Sequence, residues 1–300
     1  MKHTKISIIG AGAVGSTIAY ALILKNIAAE ICLVDVNEIK RCGEILDLSD
    51  ALSFGATALI HGETAKNAGK SDIIIIAAGK RQEPGQDRIA LLDANKKIIK
   101  SILQEIQPIN KESIIIMVTN PVDILTLYAQ ELVNHPRSQL FGSGTFLDTQ
   151  RLRGLLSQKI HIAEQSIHAY ILGEHGDTQF PAWSCARIAG IPLQDFSLTE
   201  NDLERIARET RDKASEIIKC KGATFYGIAT CVAALCRTII FDQKRVTPVS
   251  CYLEQYDLCM SVPVVLGKNG VDSILQLPLN KREKEQLNQS AEAIRKYIAS

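Results

Sequence analysis

The strongest constraint on the fold is a set of short, wholly apolar segments in the first half of the chain. The segments Ile73–Ile76 and Ile114–Ile116 are apolar at every position, which is typical of parallel strands that are covered on both faces. Segments with helical periodicity separate these runs, and such alternation predicts a parallel sheet with crossover helices. The predicted strands are Lys5–Ile9, Ile31–Val34, Ile73–Ala78, Ile114–Val118 and Leu140–Gly142, and the predicted helices are Val14–Asn26, Asn37–Ala51, Arg88–Ile106 and Val122–Val133.

The pattern changes after about Gly144, where long helices and two later strands replace the regular alternation. The predicted elements here are an alternating segment Ser166–Leu172, helices Asp202–Lys219 and Thr224–Ile240, strands Thr247–Tyr252 and Met260–Leu266, and a helix from Lys281. We therefore expect an α/β protein with a doubly wound parallel-sheet domain over residues 1–143 and a mixed α/β domain over residues 144–300. A site is expected between the two.

Charge and hydropathy exclude several classes of partner. The 34 basic and 33 acidic residues nearly cancel, so neither nucleic acid nor an anionic membrane surface is an expected partner. The first residues lack a charged and then apolar leader, and no apolar run approaches the roughly 20 residues of a membrane span. We expect a cytoplasmic protein.

The eight cysteines are scattered along the chain and form no C-x-x-C pair. Most of them stand in apolar stretches, so we interpret them as buried thiols in a reducing compartment. The sequence predicts no metal site.

A glycine-rich turn directly follows the first predicted strand. Gly10, Gly12 and Gly15 permit a tight turn, close backbone approach to a pyrophosphate and close packing of helix on strand. Asp35 ends the second strand, 20 residues after Gly15, where a carboxylate accepts hydrogen bonds from ribose hydroxyls and repels a 2′-phosphate. The pattern predicts a dinucleotide site that takes NAD; a structural turn with a solvated Asp is the alternative.

A second glycine-flanked loop, Gly173–Asp177, contains His175. Together with Gly144–Arg153, Val118–Asp123 and Gly79–Arg88, this segment closely resembles the lactate/malate dehydrogenase family, and the resemblance covers essentially the whole chain. It is closest to bacterial members. The resemblance implies a Rossmann domain followed by a substrate domain, and hydride transfer between NADH and a small 2-oxo acid.

The resemblance also implies roles for individual residues. His175 would donate the proton, as imidazolium does well near neutral pH, and Asp148 would orient the ring and favour its charged form. Arg151, three residues after Asp148 on one helical face, would clamp the substrate carboxylate. Arg88 would polarise the substrate carbonyl. Taken singly, the arginines could be surface ion-pair residues and Asp148 a helix cap.

Further positions follow from the same resemblance. Asn120, just beyond a strand end, is placed at the nicotinamide and the substrate, and Thr224 is placed in the substrate pocket. The remaining cofactor contacts that it implies are Val14, Gly79, Ser101, Val118 and Ser143.

Gln82 is the position where the resemblance places substrate discrimination. Arg at this position suits a second carboxylate, whereas neutral Gln suits pyruvate, because burying an unpaired anion costs several kcal/mol. The sequence thus favours the pyruvate/lactate pair. Arg81 stands beside Gln82, so a shifted register would favour oxaloacetate/malate; longer 2-hydroxy acids are a third possibility. A catalytically silent NAD-binding sensor should have lost His175, Asp148 or Arg151.

Regulation and assembly are expectations from resemblance alone. Arg153 and His168 match positions at which bacterial relatives bind fructose 1,6-bisphosphate between subunits. An ordinary salt bridge and a packed strand residue are the competing interpretations. A homotetramer is the expected assembly.

Overall fold

The computed structural model describes residues 4–55, 59–80 and 88–299, with residues 88 and 89 described by their backbone alone. Six parallel strands form most of a nine-stranded sheet, in the spatial order β6-β5-β4-β1-β2-β3. They are β1 (Lys5–Ile9), β2 (Glu30–Val34), β3 (Leu59–Gly62), β4 (Ile73–Ile76), β5 (Ile114–Met117) and β6 (Leu140–Gly142). All residues of β4 and β5 are buried, as expected for strands with helices on both faces.

The four predicted helices of the first half agree with the structure to within two residues at each end. They are α1 (Ala13–Leu24), α2 (Glu38–Asp50), α4 (Arg88–Glu105) and α5 (Val122–Leu132), and a short helix α3 (Ala65–Ala68) lies between α2 and α4. The sequence analysis missed β3 and α3. Each has only four residues, too few for a periodic pattern to stand out.

The second half contains more short strands than the sequence predicts. Its elements are α6 (Phe146–Ile160), β7 (Ile167–His168), β8 (Ile171–Leu172), β9 (Phe180–Pro181), β10 (Arg187–Ile188), β11 (Ile191–Pro192), α7 (Glu200–Lys221), α8 (Tyr226–Ile240), β12 (Arg245–Leu253), β13 (Leu258–Gly267), β14 (Gly270–Ile274) and α9 (Lys281–Ala299). The segment predicted over Ser166–Leu172 is divided between β7 and β8. Helix α8 begins two residues later than the predicted Thr224.

The two halves share one sheet. Ser250 of β12 pairs with Gly142 of β6 in the antiparallel sense, and β13 and β14 extend the sheet further. One continuous cluster of buried side chains follows the sheet across both halves and includes Ile74, Phe141 and Val264. The later strands thus continue the first sheet, whereas the sequence analysis assigned them to a separate domain.

The reversal of strand order next to β1 positions the functional site. The chain passes from β1 to β2 and β3 on one side and then crosses to β4 on the other. Ligands of open α/β sheets bind in the crevice at such a reversal, beyond the carboxyl ends of the strands. Here Gly10 follows β1 and Ala77–Ala78 follows β4, and a Cβ added to Gly10 would lie 2.6 Å from the Ala78 nitrogen. The crevice therefore opens where the two strand ends lie in contact.

All eight cysteines are free. Five are buried, as the sequence predicts, but Cys42 and Cys220 are exposed. Within the ranges 4–55, 59–80 and 88–299, no helix is both long enough and apolar enough to cross a membrane.

Candidate active site

His175, Asp148 and Arg151 form a buried charged cluster. His175 Nδ1 lies 2.7 Å from Asp148 Oδ2, and Arg151 Nη1 donates to Asp148 Oδ1 at 3.1 Å. Asp148 and Arg151 lie one turn apart on α6, which places both side chains on one helical face. Only 2% of the Asp148 side chain is exposed, against 26% for His175. The structure thus brings together the three residues that the sequence selected.

The charges in this cluster favour an imidazolium. Burial alone lowers the pKa of His175, but the negative charge and hydrogen bond of Asp148 outweigh burial and raise it above its ordinary value. Burial would raise the pKa of Asp148, yet His175 and Arg151 hold it below its usual range. His175 Nε2 makes no hydrogen bond with the part of the chain that the structure describes, so this nitrogen can donate to a ligand.

The loop that carries His175 is fixed by backbone contacts. Gly173 has φ +88°, and its N–H and C=O both pair with Ser261 of β13, at 3.0 and 2.9 Å. A Cβ at Gly173 would lie 2.3 Å from the Ser290 hydroxyl on α9, so both the backbone angle and the space require glycine. The imidazole is therefore presented from a rigid support.

Asp123 is a functional residue that the sequence analysis named only as part of a motif. Its Oδ2 accepts the backbone N–H of His175 at 2.7 Å, and it is 3% exposed. Burial raises the pKa of Asp123 to about 6. The signal for it was a carboxylate in the first turn of a largely apolar and buried helix, Val122–Leu132.

The glycine turn fits a dinucleotide. A Cβ at Gly15 would lie 1.8 Å from the Gly10 carbonyl oxygen, whereas one at Gly12 would meet nothing within 4 Å. Gly15 is thus needed for packing, and the space above Gly12 is open to a ligand. Helix α1 starts here with no side-chain cap and no acidic residue in its first turn, so its N-terminal amides face that space with their partial positive charge. Val14 lies in the same first turn.

Asp35 stands at the carboxyl end of β2, beside the glycine turn. Its Oδ2 accepts the Ala11 N–H at 2.7 Å and its Oδ1 accepts the Asn37 N–H at 2.8 Å. Each carboxylate oxygen retains a further acceptor site. Asp35 is thereby held as a fixed anion that two ribose hydroxyls can reach and that repels a 2′-phosphate.

A buried asparagine that the sequence analysis did not select connects the other loops of the crevice. Asn95 on α4 is fully buried; its Oδ1 accepts the Lys80 N–H at 2.7 Å, and its Nδ2 donates to the Asn120 carbonyl at 2.9 Å. It therefore ties the segment after Gly79 to the segment after β5. No sequence pattern marked it, because its role depends on two loops meeting.

The other selected residues of the crevice occupy strand ends or helix starts. Val118 and Ser143 are buried just beyond β5 and β6, and the Ser143 N–H donates to the Met117 carbonyl at 2.8 Å. Asn120 is exposed. Thr224 precedes α8, and a Cβ at Gly227 would lie 2.9 Å from the Leu147 side chain. The start of α8 therefore packs against Leu147, the residue before Asp148 on α6.

Three selected residues do not enter this geometry. Gln82 and its neighbour Arg81 lie outside the described residues, as does the side chain of Arg88, whose backbone begins α4. Ser101 is placed elsewhere: it is exposed, its hydroxyl donates to Glu105 Oε1 at 2.6 Å, and it lies 13 residues along α4 from Arg88. That is roughly 20 Å down the helix from Arg88 at 1.5 Å per residue, and the assignment of Ser101 to the cofactor stays a prediction.

Arg153 contacts the two residues that follow His168. Arg153 Nε donates to the Ala169 carbonyl at 3.0 Å, and its guanidinium faces the Tyr170 ring at 5.1 Å. His168 is exposed on β7 and pairs with Arg187 of β10. Burial lowers the pKa of Arg153. Arg153 thus binds a backbone carbonyl, whereas the interpretation that competes with an effector site predicts a salt bridge.

Comparison with known proteins gives the same family for both halves. The lactate/malate dehydrogenase NAD-binding domain model matches residues 4–142, and the lactate/malate dehydrogenase α/β C-terminal domain model matches residues 145–300. The chain belongs to the lactate/malate dehydrogenase family. It is an NAD-dependent oxidoreductase.

Individual relatives align over nearly their whole length. The chain is 45% identical over 294 residues to L-lactate dehydrogenase A of Rhizopus oryzae, covering 98% of this chain and 92% of that protein. It is 40% identical over 305 residues to L-lactate dehydrogenase of Lacticaseibacillus casei, covering 99% and 94%. The ligand-bound crystal structure of the minor L-lactate dehydrogenase of Enterococcus mundtii superposes with a TM-score of 0.96 at 35% identity, covering 100% of this chain and 98% of that one.

Proposed function

We propose that the protein catalyses reversible reduction of pyruvate by NADH to (S)-lactate and NAD. The observation that carries this proposal is the 2.7 Å contact between His175 Nδ1 and a buried Asp148 that also binds Arg151. With a protonated His175 the cluster has one net positive charge, which matches the single carboxylate of a 2-oxo monoacid. L-lactate dehydrogenases among the relatives support the same substrate pair.

His175 and Arg151 divide the chemistry between them. The reduced nicotinamide, when bound, supplies the hydride. His175 holds a proton on Nε2 and donates it to the carbonyl oxygen as negative charge develops there, while Nδ1–H remains bonded to Asp148. Arg151 uses the N–H groups that Asp148 does not occupy to clamp the substrate carboxylate in bidentate fashion. We assign Asn120 and Thr224 to the walls of this pocket, and Gly10, Gly12, Val14, Gly15, Asp35, Gly79, Val118 and Ser143 to the cofactor.

Two assignments rest on sequence alone. We propose that Arg88 polarises the substrate carbonyl and that neutral Gln82 selects pyruvate over oxaloacetate. The test measures NADH oxidation with each substrate side by side, for the wild type and for Gln82→Arg. We expect the wild type to prefer pyruvate and the variant to shift toward oxaloacetate. A wild-type preference for oxaloacetate would instead identify Arg81 as the discriminating residue, and the protein as a malate dehydrogenase.

We also propose a cytoplasmic homotetramer without nucleic-acid or membrane partners, in which residues 1–143 bind the cofactor and residues 144–300 complete the substrate site. Arg153 and His168 would bind fructose 1,6-bisphosphate between subunits. The proximity of Arg153 to Ala169, next to His168, supports a shared anion site. Pyruvate saturation curves with and without this effector test it, and Arg153→Gln should abolish any activation. Identical curves for the wild type would contradict an effector site.

A further inference from the structure

A second histidine–carboxylate pair lies at the amino-terminal ends of the parallel strands, at the opposite edge of the sheet from His175. Glu30 and Cys32 stand on one face of β2, since alternate strand residues share a face. Strand register places Cys32 opposite His61 of β3 and Glu30 opposite Lys5 of β1. Neighbouring strands thereby assemble a carboxylate, a thiol and an imidazole from distant parts of the sequence.

The three potential ligand atoms lie close to one another. His61 Nε2 lies 2.9 Å from Glu30 Oε1 and 3.3 Å from Cys32 Sγ, and Sγ lies 3.4 Å from Oε1. A tetrahedral Zn²⁺ with usual bond lengths of about 2.0 Å to nitrogen and oxygen and about 2.3 Å to sulfur separates its ligand atoms by about 3.3–3.6 Å. The observed triangle therefore needs an expansion of only a few tenths of an ångström to hold the ion.

We propose that Glu30, Cys32 and His61 bind one Zn²⁺ ion, with water as the fourth ligand. Thiolate, imidazole and carboxylate are the ligand types that Zn²⁺ takes in proteins. Cys32 is fully buried, whereas the His61 side chain is 32% exposed, so the ion can enter from the His61 side and keep one ligand position open to solvent.

Backbone geometry supports coordination through His61 Nε2. His61 Nδ1 lies 3.0 Å from the carbonyl oxygen of Gly62, so an Nδ1–H donates there when Nε2 binds a cation. Metal-binding histidines almost always donate their second ring N–H to a carbonyl or carboxylate, which fixes the ring. The Gly62 carbonyl therefore already holds the ring in the orientation that such a site requires.

Lys5 is the feature that opposes a cation, because its Nζ lies 3.0 Å from Glu30 Oε1. Glu63 compensates for it: Glu63 Oε2 lies 3.4 Å from the same Nζ, and Glu63 Oε1 accepts the Thr64 N–H and an Asn67 amide N–H, both at 2.9 Å. With zinc bound, the Glu30 carboxylate and the Cys32 thiolate neutralise the ion, and Glu63 neutralises Lys5. Every charged group of the site is therefore paired when zinc is bound.

A nucleophilic or redox role for Cys32 fits the structure less well. Cys32 is fully buried, so a substrate cannot reach its Sγ for nucleophilic attack. The cluster suits coordination better than thiol chemistry.

The proposed ion would act on structure. Strand β3 is the edge strand of the nine-stranded sheet, and zinc would join it to β2 by side chains in addition to main-chain hydrogen bonds. Glu30 and Asp35 lie at opposite ends of β2, about 16 Å apart at roughly 3.3 Å per residue. The sequence predicts no metal site because Cys32 and His61, 29 positions apart, become neighbours only through strand register.

The first experiment adds ZnCl₂ or CoCl₂ to chelator-treated protein. We expect one Zn²⁺ per chain by calorimetry, a higher Tm with zinc, and a thiolate-to-Co²⁺ charge-transfer absorption band with cobalt. His61→Ala should weaken zinc binding by about 100-fold or more, since loss of a residue that only orients a metal ligand already costs about 10–100-fold. Cys32→Ser should abolish the cobalt band. Chelator treatment should leave pyruvate reduction by the wild type unchanged, which separates this test from that of the proposed function.

Matched controls distinguish the cluster from adventitious thiol binding. Cys42→Ser removes an exposed thiol on α2, and His161→Asn replaces a histidine just beyond α6; both should keep wild-type zinc affinity. Lys5→Met should strengthen zinc binding, because it removes the like charge beside Glu30. A cobalt band that persists in Cys32→Ser, zinc affinity that is equal in wild type and His61→Ala, or no stoichiometric binding by the wild type would overturn the proposal.

Discussion

The two histidine–carboxylate pairs differ in which ring nitrogen faces the carboxylate. His175 contacts Asp148 through Nδ1 and so leaves Nε2 available to a ligand. His61 contacts Glu30 through Nε2, and its Nδ1 faces the Gly62 carbonyl. Each carboxylate also meets a cation, Arg151 or Lys5. The same residue types can therefore deliver a proton in one place and hold a metal ion in the other, depending on ring orientation.

Surroundings reinforce this difference. The Asp148 side chain is 2% exposed and that of Glu30 is 16% exposed. Arg151 offers a planar fork that can serve two carboxylates at once, whereas Lys5 is a point charge already shared between two acidic groups. Only the first pair can bind and orient a planar substrate carboxylate.

The largest effect should come from removing the proton donor. His175→Asn should lower kcat for pyruvate reduction by roughly 10²–10⁴-fold, the usual contribution of a general acid, while NADH binding, measured by fluorescence titration, stays close to wild type. His161→Asn, just beyond the end of the α6 helix that carries Asp148, is the matched control. Near-normal turnover in His175→Asn would show that the free Nε2 does not distinguish the two pairs.

Arg151→Lys tests the planar fork. A charge-assisted hydrogen bond contributes about 1.5–3 kcal/mol, so losing the bidentate contact should lower kcat/KM for pyruvate by about 10–150-fold. We expect most of the change in KM, because lysine keeps the charge but not the geometry. Steady-state kinetics measure it, and unchanged kinetics would mean that Arg151 serves Asp148 alone.

Asp148→Asn tests the origin of the imidazolium. Burial lowers the pKa of His175 and Asp148 raises it, so without the carboxylate the pKa falls. Pyruvate reduction needs the protonated ring, and its rate should therefore decline at a lower pH in the variant than in the wild type. At neutral pH we expect a loss of about 10–100-fold, from one hydrogen bond to a charged group. Superimposable kcat/KM–pH profiles would contradict this account.

Asp123→Asn should have the smallest effect on catalysis, and its effect should appear in the free energy of unfolding. The pKa of Asp123 is about 6 against an ordinary 3.8, so the folded protein holds this proton more tightly than the unfolded chain. The ionised carboxylate therefore costs stability as pH rises from about 4 to 6. Asparagine removes that cost and should raise the free energy of unfolding by up to about 3 kcal/mol at pH 8 and not at all near pH 4. Urea titrations at both pH values measure it.

Sequence reasoning succeeded where a local pattern carries the physics. The run Ile73–Ile76 can be buried on both faces only as a central strand, and glycine at 15 is required by its close approach to the Gly10 carbonyl within one turn. The pairing of His175 with Asp148 was accessible because family resemblance supplied what spacing could not. The fold is confirmed, and the structure places His175 beside Asp148, whose catalytic roles stay predictions.

The failures involve contacts between distant segments. Asn95 joins two loops, and Asp123 supports His175 from 52 positions away. Helical periodicity identified α4 but carried no information on which loops Asn95 would join. The pairing of Ser250 with Gly142 could not be predicted either, because the pattern of one strand does not indicate which sheet that strand joins.

That pairing has a mechanical consequence. Because β6 bonds to β5 on one side and to β12 on the other, a hinge between the nucleotide-binding and substrate parts would have to break main-chain hydrogen bonds inside a nine-stranded sheet. The chain is thus expected to unfold as one cooperative unit, with a single calorimetric transition whose calorimetric and van't Hoff enthalpies agree. We therefore expect ligands to enter through local rearrangement at the rim of the crevice. Rotation of the nucleotide-binding part against the substrate part would break the hydrogen bonds between β6 and β12.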